Sequence, residues 1–532
     1  MMHIHLRARW ANSALPPLAM ILVATSAWTF GSRGGKPALA TPPCSPQVDI
    51  AAVVARDPDN VRHNKEVDSI FAAGLAEVSS ARPTSRYGQI TLLGKLLLHD
   101  KNLSVNRNVA CVTCHDAQTG HTGSVEIINR TIVAYPGSAG NLVSARKPQS
   151  YGYAAFAPIL HYNEAQKTLS GGNFWDMRAT GVTLANAAAE QGQGPPLNPL
   201  EMALPDAACA VYRTARGRYR AYFESVWGAQ SFAIHWPANV ERVCSTPAPA
   251  PATDSLPVHL SPTDRGIATA SYDFMALAMA SYEASAEVSR FSSKFDSALA
   301  NPNQQILTQD EQAGWMLFRG KGRCNTCHVD GTDNRGGAGP ARAEDRITPR
   351  AAADQFPLFT DFTAANLGVP RNPALRFYCE NKPSQAGYTA NPAGAGYVDR
   401  GVGAFLRSRG NPNPAWARMA DRFDGMMRVP TVRNVDMRPR PDFVKPYMHN
   451  GYLKSLKEVV HFYNTRDALP RCQGENAPGE KISCWPAPEV AANVDSTVGN
   501  LGLTPHEEDL IVAFLKTLTD ERPRPPRPPQ HQ

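Results

Sequence analysis

The sequence predicts a mainly α-helical protein in which long irregular loops connect the helices. Three segments place apolar residues at helical spacing most clearly, namely Thr263 to Leu299, Leu453 to Tyr463 and Thr504 to Leu518. Convincing runs of alternating apolar and polar residues, which would predict strands, are missing. The 39 glycines and 45 prolines indicate many turns. Two Cys-x-x-Cys-His motifs lie far apart in the chain, and Leu307 opens a second unit that carries the second motif.

Length and charge limit the class of protein. The chain has 532 residues, enough for three to four domain-sized units, and 42% hydrophobic against 19% charged residues is a folded globular composition. The net charge is +7, which falls to +3 without the first forty residues. No long Lys/Arg run is present, so the sequence predicts no nucleic-acid partner.

The first forty residues predict a Sec-type signal peptide. Arg7 and Arg9 precede a mostly apolar run from Leu15 to Phe30, and Ala38-Leu39-Ala40 matches a small-x-small cleavage site. The run is short and interrupted by proline, although a retained membrane anchor is the alternative. No second apolar stretch reaches 18 residues, so we expect no stable membrane insertion after cleavage. The expected compartment is oxidising, most simply a bacterial periplasm.

The two cysteine motifs predict covalent haem attachment. They are Cys111-Val-Thr-Cys114-His115 and Cys324-Asn-Thr-Cys327-His328. Two thiols at this spacing can each form a thioether to one porphyrin edge, and the following histidine can reach the iron. A thioredoxin-like redox pair would need a βαβ context, and a zinc site would need a second pair of ligands nearby. Neither is evident, so we expect two covalently bound haem c groups.

The other six cysteines suggest disulfides. They are Cys44, Cys209, Cys244, Cys379, Cys472 and Cys484, and six cysteines allow fifteen pairings. Cys472–Cys484 and Cys209–Cys244 are the nearest neighbours in sequence and therefore the first expectations.

From about residue 88 to 520 the chain resembles the bacterial di-haem cytochrome c peroxidases and their MauG-type relatives. The matching motifs are LGKLLLHDKNLS, NFWDMRATG, EQGQGPPLNPLEM, PLFTDFTAANLGVP, RVPTVRNV and KPYMHNGYLKSLKEVVHFYN. The resemblance implies two cytochrome c-like helical domains with one haem each, and a last helix that packs back on the first domain. We therefore expect a signal peptide (1–40), an N-terminal domain with the peroxide-reactive haem (41–305), a C-terminal domain with the electron-transfer haem (306–500), a C-terminal helix (501–520) and a disordered Pro-rich tail (521–532).

For the first haem, the resemblance implies an acid/base group above an accessible iron. The family's distal glutamate lies in an NP-x-E-M motif, which corresponds to Glu201, and its glutamine partner corresponds to Gln191. Many of these peroxidases carry a removable distal histidine, but none is present near Thr131. His121 and His161 are more typical of structural or surface histidines. The first haem is therefore expected to bind peroxide without prior reduction.

For the second haem, the resemblance implies a tyrosine ligand. Tyr463 lies fourteen residues beyond His449, where the MauG-type proteins have tyrosine and the ordinary peroxidases have methionine. Met448 and His461 are rival ligands, and a buried core tyrosine is the structural alternative. A phenolate stabilises higher oxidation states of iron, so this haem is expected to have a low potential.

Two further features follow from the resemblance. Trp175 corresponds to a tryptophan between the haems that could relay charge, although a buried packing aromatic is the alternative. The family's interdomain Ca²⁺ would lie near the carbonyls of Val444 and Pro446, but Lys147 is a poor neighbour for that cation.

The resulting expectation is a periplasmic di-haem oxidoreductase that reduces H₂O₂ through high-valent iron shared between two haems. A small cytochrome c, a cupredoxin or another donor would supply electrons, or a protein or small molecule would be oxidised. The alternative is a non-catalytic di-haem electron-transfer cytochrome, which would saturate both irons with strong ligands and would not need Glu201.

Overall fold

A computed structural model of the chain describes residues 49–140, 142–248, 257–331, 356–384, 387–474 and 476–521. The predicted signal peptide, Cys44 and the tail from residue 522 onward lie outside the described residues. The described chain is mainly helical, which confirms the predicted fold class. None of its helices combines the length and the hydropathy that crossing a bilayer requires.

Most helices are short, and irregular segments separate them. In chain order they are α1 (Ile50–Arg56), α2 (Pro58–Ser80), α3 (Arg86–His99), α4 (Cys111–Cys114), α5 (Glu126–Arg130), α6 (Ala187–Leu197), α7 (Ala207–Ala215), α8 (Arg220–Trp227), α9 (Val240–Cys244), α10 (Pro262–Glu283), α11 (Lys294–Ala300), α12 (Gln309–Arg319), α13 (Gly401–Leu406), α14 (Leu456–Thr465) and α15 (Pro505–Lys516). The strands are β1 (His161–Asn163), β2 (Thr168–Ser170), β3 (Ala364–Ala365) and β4 (Met427–Arg428). β1 pairs antiparallel with β2, Tyr162 opposite Leu169, and β3 pairs antiparallel with β4, Ala364 opposite Arg428.

Capping residues set the helix boundaries that the sequence predicts best. At α15, Thr504 and Glu507 form a reciprocal capping box, with Pro505 in the first turn. The predicted helix from Thr263 to Leu299 is instead divided into α10 and α11. Phe291 has a positive φ of 50° and Ser293 caps α11, so the helical backbone cannot continue between them.

Helix α3 is the clearest element that the sequence analysis missed. We expected only short apolar pieces between Tyr87 and Thr122, but Arg86–His99 forms a continuous helix. Its buried residues lie on several sides, including the consecutive Leu96, Leu97 and Leu98. A helix buried on most sides has no polar face, so the 3.6-residue period that identifies surface helices is weak.

Buried apolar side chains form two large clusters. The first draws on residues 67–288 and includes Leu93 and Met275, while the second draws on residues 295–518 and includes Phe318 and Phe514. A smaller cluster packs Leu169 and other residues of 160–177 against residues 402–423. This smaller cluster contains residues from both regions, so the clusters do not define a boundary between them. The predicted domain boundaries therefore stay a prediction.

A helix pair in which the backbones almost touch forms part of each large cluster. In the first cluster α3 crosses α10, and a Cβ added at Gly94 would lie 1.9 Å from the carbonyl oxygen of Ala278. In the second, α12 crosses α15, and a Cβ added at Gly314 would lie 1.9 Å from the carbonyl oxygen of Leu510. Only glycine permits this approach at either crossing.

Helix α15 makes its main contacts with α12 and α14, both within the second predicted domain. It also touches the first predicted domain, where Phe514 packs edge to face on Phe295 of α11 with 5.3 Å between ring centroids. Its apolar residues Ile511 and Phe514 are buried in the second cluster, which determines its partners. The residues after the helix also reach the first predicted domain: the Phe295 amide donates a hydrogen bond to the Thr517 carbonyl at 3.1 Å, and the Tyr153 hydroxyl donates one to Asp520 Oδ2 at 2.5 Å.

Both expected disulfides are present. Cys209 is bonded to Cys244 and Cys472 to Cys484, which confirms the two pairings that sequence proximity suggested. Cys379 is also disulfide-bonded.

We expect Gly94→Ala to destabilise the protein, because the new methyl group would collide with the backbone of α10. Overpacking of this kind costs roughly 1–3 kcal/mol, which should lower the melting temperature by several degrees. Gly266→Ala is the matched control within α10, where an added Cβ meets nothing within 4 Å. That control should be neutral or slightly stabilising, since alanine favours helix over glycine. Equal melting temperatures for the two variants, measured by circular dichroism, would contradict the proposed close contact.

Candidate functional site

The first cavity gathers the residues predicted for the first haem. Its volume is about 400 Å³, and among the residues that line it are Cys111, Cys114, His115, Trp175, Gln191 and Glu201. The sequence motifs that supply them are separated by up to ninety residues, so the fold brings together what the sequence only suggests.

His115 is held as a neutral ligand. Its Nδ1 lies 3.0 Å from the carbonyl oxygen of His121, and because a carbonyl can only accept, Nδ1 carries the proton. The lone pair therefore lies on Nε2. Burial lowers the pKa of His115 to about 4. His115 is the one histidine among the described residues that line the first cavity, because His121 packs on Tyr151 outside the lining and His161 is exposed on β1.

Glu201 and Gln191 lie in and just after α6. Asn186 caps this helix, and a turn after its C-terminus carries Glu201 into the cavity wall. Asn198 Nδ2 donates a hydrogen bond to Glu201 Oε1 at 2.9 Å, which fixes the carboxyl group. Burial raises the pKa of Glu201 above its usual range, and the nearby Arg178 and the Asn198 bond offset only part of this effect.

Glu283 is a second buried carboxyl in the first cavity, and the sequence analysis missed it. It is 2% exposed at the end of α10, and its Oε2 has no hydrogen-bond partner among the described residues. Burial raises the pKa of Glu283 to about 8. An acid that closely follows the apolar stretch from Phe274 to Ala280 is the signal that could have identified it.

The second cavity gathers the second motif and Tyr463. Its volume is about 190 Å³, and Cys324, Cys327, His328 and Tyr463 line it. His328 Nδ1 lies 3.2 Å from the carbonyl oxygen of Phe359, which again leaves the lone pair on Nε2. No described residue hydrogen-bonds the Tyr463 hydroxyl, and burial raises the pKa of this phenol.

The two rival ligands differ in position. Met448 lines the second cavity, but His461 does not. His461 Nδ1 lies 3.0 Å from Glu508 Oε1, and its Nε2 lies 3.3 Å from the carbonyl oxygen of Ile482. With both nitrogens engaged, His461 is a poor ligand candidate.

The donor groups of both cavities fit a haem. All four motif cysteines are free of disulfides, and burial raises their pKa values, to about 12 for Cys111 and Cys324. Three buried nitrogens in the cavity walls have no partner among the described residues: Gln149 Nε2 in the first, and Arg428 Nε and His449 Nε2 in the second. The Gln149 and Arg428 nitrogens are donors, which suit the carboxylate groups of a haem that would otherwise be buried without partners. The His449 nitrogen is a donor in one of its two tautomers.

Trp175 lines both cavities. Its indole Nε1 donates to the carbonyl oxygen of Lys147 at 3.2 Å, and its own carbonyl accepts from the Arg428 amide at 2.8 Å. The ring meets the His449 ring edge to face, with 6.5 Å between centroids. The indole therefore has a fixed position between the two cavities.

A buried ion network holds the Trp175 loop. Arg146 donates to Asp176 at 2.8 Å and, through two nitrogens, to Asp399 at 2.7 Å. Burial alone would raise the pKa of Asp399, but the Arg146 guanidinium more than offsets this and lowers it. Removing Arg146 would leave the buried Asp399 carboxylate without its ion-pair partner, whereas Asp176 would keep its ion pair with Arg178.

The surroundings of the expected calcium position do not fit this ion. The carbonyl oxygen of Val444 already accepts a hydrogen bond from Asn129 Nδ2 at 3.2 Å. Lys445 is buried between the two expected carbonyls, and Lys147 is also buried, with its Nζ 3.3 Å from Thr122 Oγ1 and 5.5 Å from the Trp175 ring centroid. Burial lowers the pKa of both lysines, to about 8 for Lys147. Two buried lysine nitrogens at this position offer no oxygen ligand to Ca²⁺.

Comparisons with known proteins agree with this arrangement. The family model for di-haem cytochrome c peroxidase matches residues 89–304. The methylamine utilization protein MauG of Paracoccus denitrificans is 30% identical over 86% of this chain and 94% of its own length. The cytochrome c551 peroxidase of Nitrosomonas europaea is 22% identical over 81% of this chain and 80% of its own.

A solved structure has the same fold. The di-haem peroxidase BthA of Burkholderia thailandensis matches with a TM-score of 0.55 and 25% identity, over 81% of this chain and 86% of its own. Members of the di-haem cytochrome c peroxidase family are oxidoreductases with two haems. This agrees with two cavities that each contain a Cys-x-x-Cys-His motif. The similarity to MauG along nearly its whole length shows that the chain belongs to the di-haem cytochrome c peroxidase family.

Proposed function

We propose that this enzyme reduces hydrogen peroxide at a haem in the first cavity and shares the oxidising equivalents with a haem in the second. The observation that carries the proposal is the chemical difference between the cavities. The first combines His115 with the buried acid Glu201, whereas the second combines His328 with Tyr463. The haems, when bound, supply the iron that accepts oxidising equivalents from peroxide.

Glu201 and Gln191 handle the protons and the orientation of peroxide. The Glu201 carboxylate takes a proton from the bound peroxide and returns it to the departing oxygen, as general acid/base catalysis requires. Gln191, on the same wall, donates a hydrogen bond that orients the peroxide. Because burial raises the pKa of Glu201, its proton affinity is closer to that needed for both steps than an exposed carboxylate would be.

Trp175 and Tyr463 determine what happens to the oxidising equivalents. Trp175 lies in both cavity walls, so its indole offers a path between them. Tyr463 lines the second cavity with a hydroxyl that no described residue engages, which leaves it available to bind the iron of a haem held there. A phenolate at this position stabilises oxidised iron. The second haem would therefore share the oxidising equivalents rather than store a reducing electron.

Attachment and location complete the proposal. The four free thiols support covalent haem c in both cavities, and the two disulfides support an oxidising compartment such as the periplasm. A small cytochrome c, a cupredoxin or an oxidisable protein is the expected partner.

The test adds one equivalent of H₂O₂ to the fully ferric, haem-loaded protein and follows its EPR and optical spectra. We expect rapid loss of ferric signal without prior reduction. In Glu201→Gln the same reaction should be at least ~100-fold slower, because the general acid/base is lost. The wild-type rate should also fall at acid pH as Glu201 gains a proton, at a pH above the usual range for glutamate, and the variant should lack this dependence.

Glu164→Gln is the control, since Glu164 is exposed and paired only with Lys167 among the described residues. It should react like the wild type. A reaction that begins only after one haem is reduced would contradict the accessible first site. No reaction in any redox state would indicate an electron-transfer cytochrome, and an unchanged rate in Glu201→Gln would refute the role of Glu201.

Tyr463→Phe should raise the reduction potential of the second haem, by at least ~100 mV, because an anionic ligand that favours Fe(III) is removed. Potentiometric titration followed by optical spectra measures the change. Tyr452→Phe is the matched control, since Tyr452 is buried but outside the second cavity. If Tyr463→Phe leaves the potential unchanged and Met448→Leu shifts it, the ligand is Met448.

Glu283→Gln should gain stability relative to the wild type as the pH rises. Burial raises the pKa of Glu283 to about 8, whereas an unfolded glutamate titrates near about 4.3. The folded protein therefore binds more protons in this window, and wild-type stability falls as the pH rises through it. The difference has an upper limit of about 5 kcal/mol. Melting temperatures of both proteins at pH 5 and pH 9 measure this difference in stability. If the melting temperatures of the wild type and the variant change equally with pH, Glu283 does not titrate in this range.

A further inference from the structure

Outside both cavities, three potential metal ligands converge next to the first haem motif. His63 and Glu66 lie one turn apart on α2, and Asp116 directly follows His115. One ligand atom from each of the three lies within 4.8 Å of the other two. His63 and Asp116 are each 3% exposed, so this is not a cluster of solvated surface acids.

The protonation of His63 makes the cluster unusual. Its Nε2 lies 2.7 Å from the carbonyl oxygen of Val112, which can only accept, so Nε2 carries a proton. In the neutral ring the lone pair is then on Nδ1. This buried Nδ1 has no hydrogen-bond partner in the described part of the chain, and Asp116 Oδ2 lies 3.5 Å from it. A lone pair that faces a carboxylate oxygen in a buried site requires a cation between them.

The geometry suits a small tetrahedral ion. Nitrogen and oxygen ligands lie about 2.1 Å from Zn²⁺, which places neighbouring ligand atoms about 3.4 Å apart in a tetrahedron. The observed separation of His63 Nδ1 from Asp116 Oδ2 is 3.5 Å. In a direct hydrogen bond between a charged pair, the nitrogen and the oxygen would be closer, about 2.8 Å apart.

Each of the three side chains is also oriented by a second contact. The Val112 carbonyl holds the far nitrogen of His63. The Gln118 amide donates to Asp116 Oδ1 at 2.8 Å, and the Gln118 side chain donates to Glu66 Oε2 at 2.9 Å. Metal-binding histidines and carboxylates typically have such outer contacts, which fix the ring and the carboxyl groups toward the ion.

We propose that His63, Glu66 and Asp116 bind one divalent transition-metal ion, with Zn²⁺ as the best match and water in the fourth position. Two carboxylates and a neutral imidazole balance a double positive charge. An imidazole nitrogen favours Zn²⁺ over Ca²⁺ or Mg²⁺, which prefer oxygen ligands only. The ion joins α2 to the segment that carries His115. This site is independent of the proposed peroxide chemistry.

The experiment measures zinc binding to the haem-loaded protein after treatment with a chelator. Titration calorimetry with Zn²⁺ should show one site per chain, which Ca²⁺ and Mg²⁺ at equal concentration do not fill. His63→Gln should weaken binding at least ~100-fold, since even outer contacts of a metal site contribute 10- to 100-fold. Zinc should raise the melting temperature of the wild type but not of His63→Gln.

Two further variants control for misfolding and for the removal of a histidine outside the cluster. Glu66→Gln keeps the shape of a half-buried side chain, so it should fold with full haem content and still bind zinc more weakly. His235→Gln is the matched control: His235 lies 3.4 Å from Asp264, but its side chain is 96% exposed and it belongs to no cluster of three. It should bind zinc like the wild type. Equal zinc affinity in the wild type and His63→Gln, or no zinc site at all, would overturn the proposal and leave a proton on Nδ1 as the cation.

Discussion

The approach of two helix backbones at a glycine is the constraint on which both halves of the structure depend. The contact occurs at Gly94 in α3 and again at Gly314 in α12, against α10 and α15 respectively. In each half the chain leaves the glycine-bearing helix and soon enters a Cys-x-x-Cys-His motif. The crossing thereby determines where the motif lies relative to the apolar cluster, and hence where the cavity forms. The same helix crossing at a glycine in both halves agrees with a fold of two equivalent haem units.

The two halves differ in chemistry although they share this architecture. The first cavity is lined by the carboxyls of Asp176, Glu201 and Glu283, whereas the second contains Tyr463 and nitrogens of Arg428 and His449 that have no partner among the described residues. Between them, the loop that carries Trp175 is bound by charged groups rather than by apolar packing alone. A guanidinium shared by two carboxylates has demanding geometry, so the position of the loop is specific. In the proposed function, the reaction with peroxide takes place in the first cavity, and the Trp175 indole offers the path to the second.

Local signals explain most of what the sequence could predict. The haem motifs, the Thr504 cap and the two short-range disulfides each depend on residues near one another in the chain. Prediction failed for α3, which is apolar on most sides and lacks a period. It was incomplete for α15, whose main partner is α12 because its apolar face completes the second cluster. Glu201 and Tyr463 follow from resemblance to a family, while Glu283 has importance only because the fold buries it in a cavity wall. The spacing of residues in the sequence does not reveal burial of this kind.

The ammonium group of Lys147 has an electrochemical consequence for Trp175. Its Nζ lies 5.5 Å from the centre of the indole, and a pKa of about 8 keeps it charged at neutral pH. Removing an electron from the ring would place a second positive charge beside the first, at a Coulombic cost of about 3 kcal/mol for an effective dielectric constant of about 20. For one electron this corresponds to about 130 mV. The charge on Lys147, taken alone, makes the indole harder to oxidise, so in the proposed function it disfavours a positive charge on the ring. Above pH 8 the lysine loses its proton, and this restraint on the ring weakens.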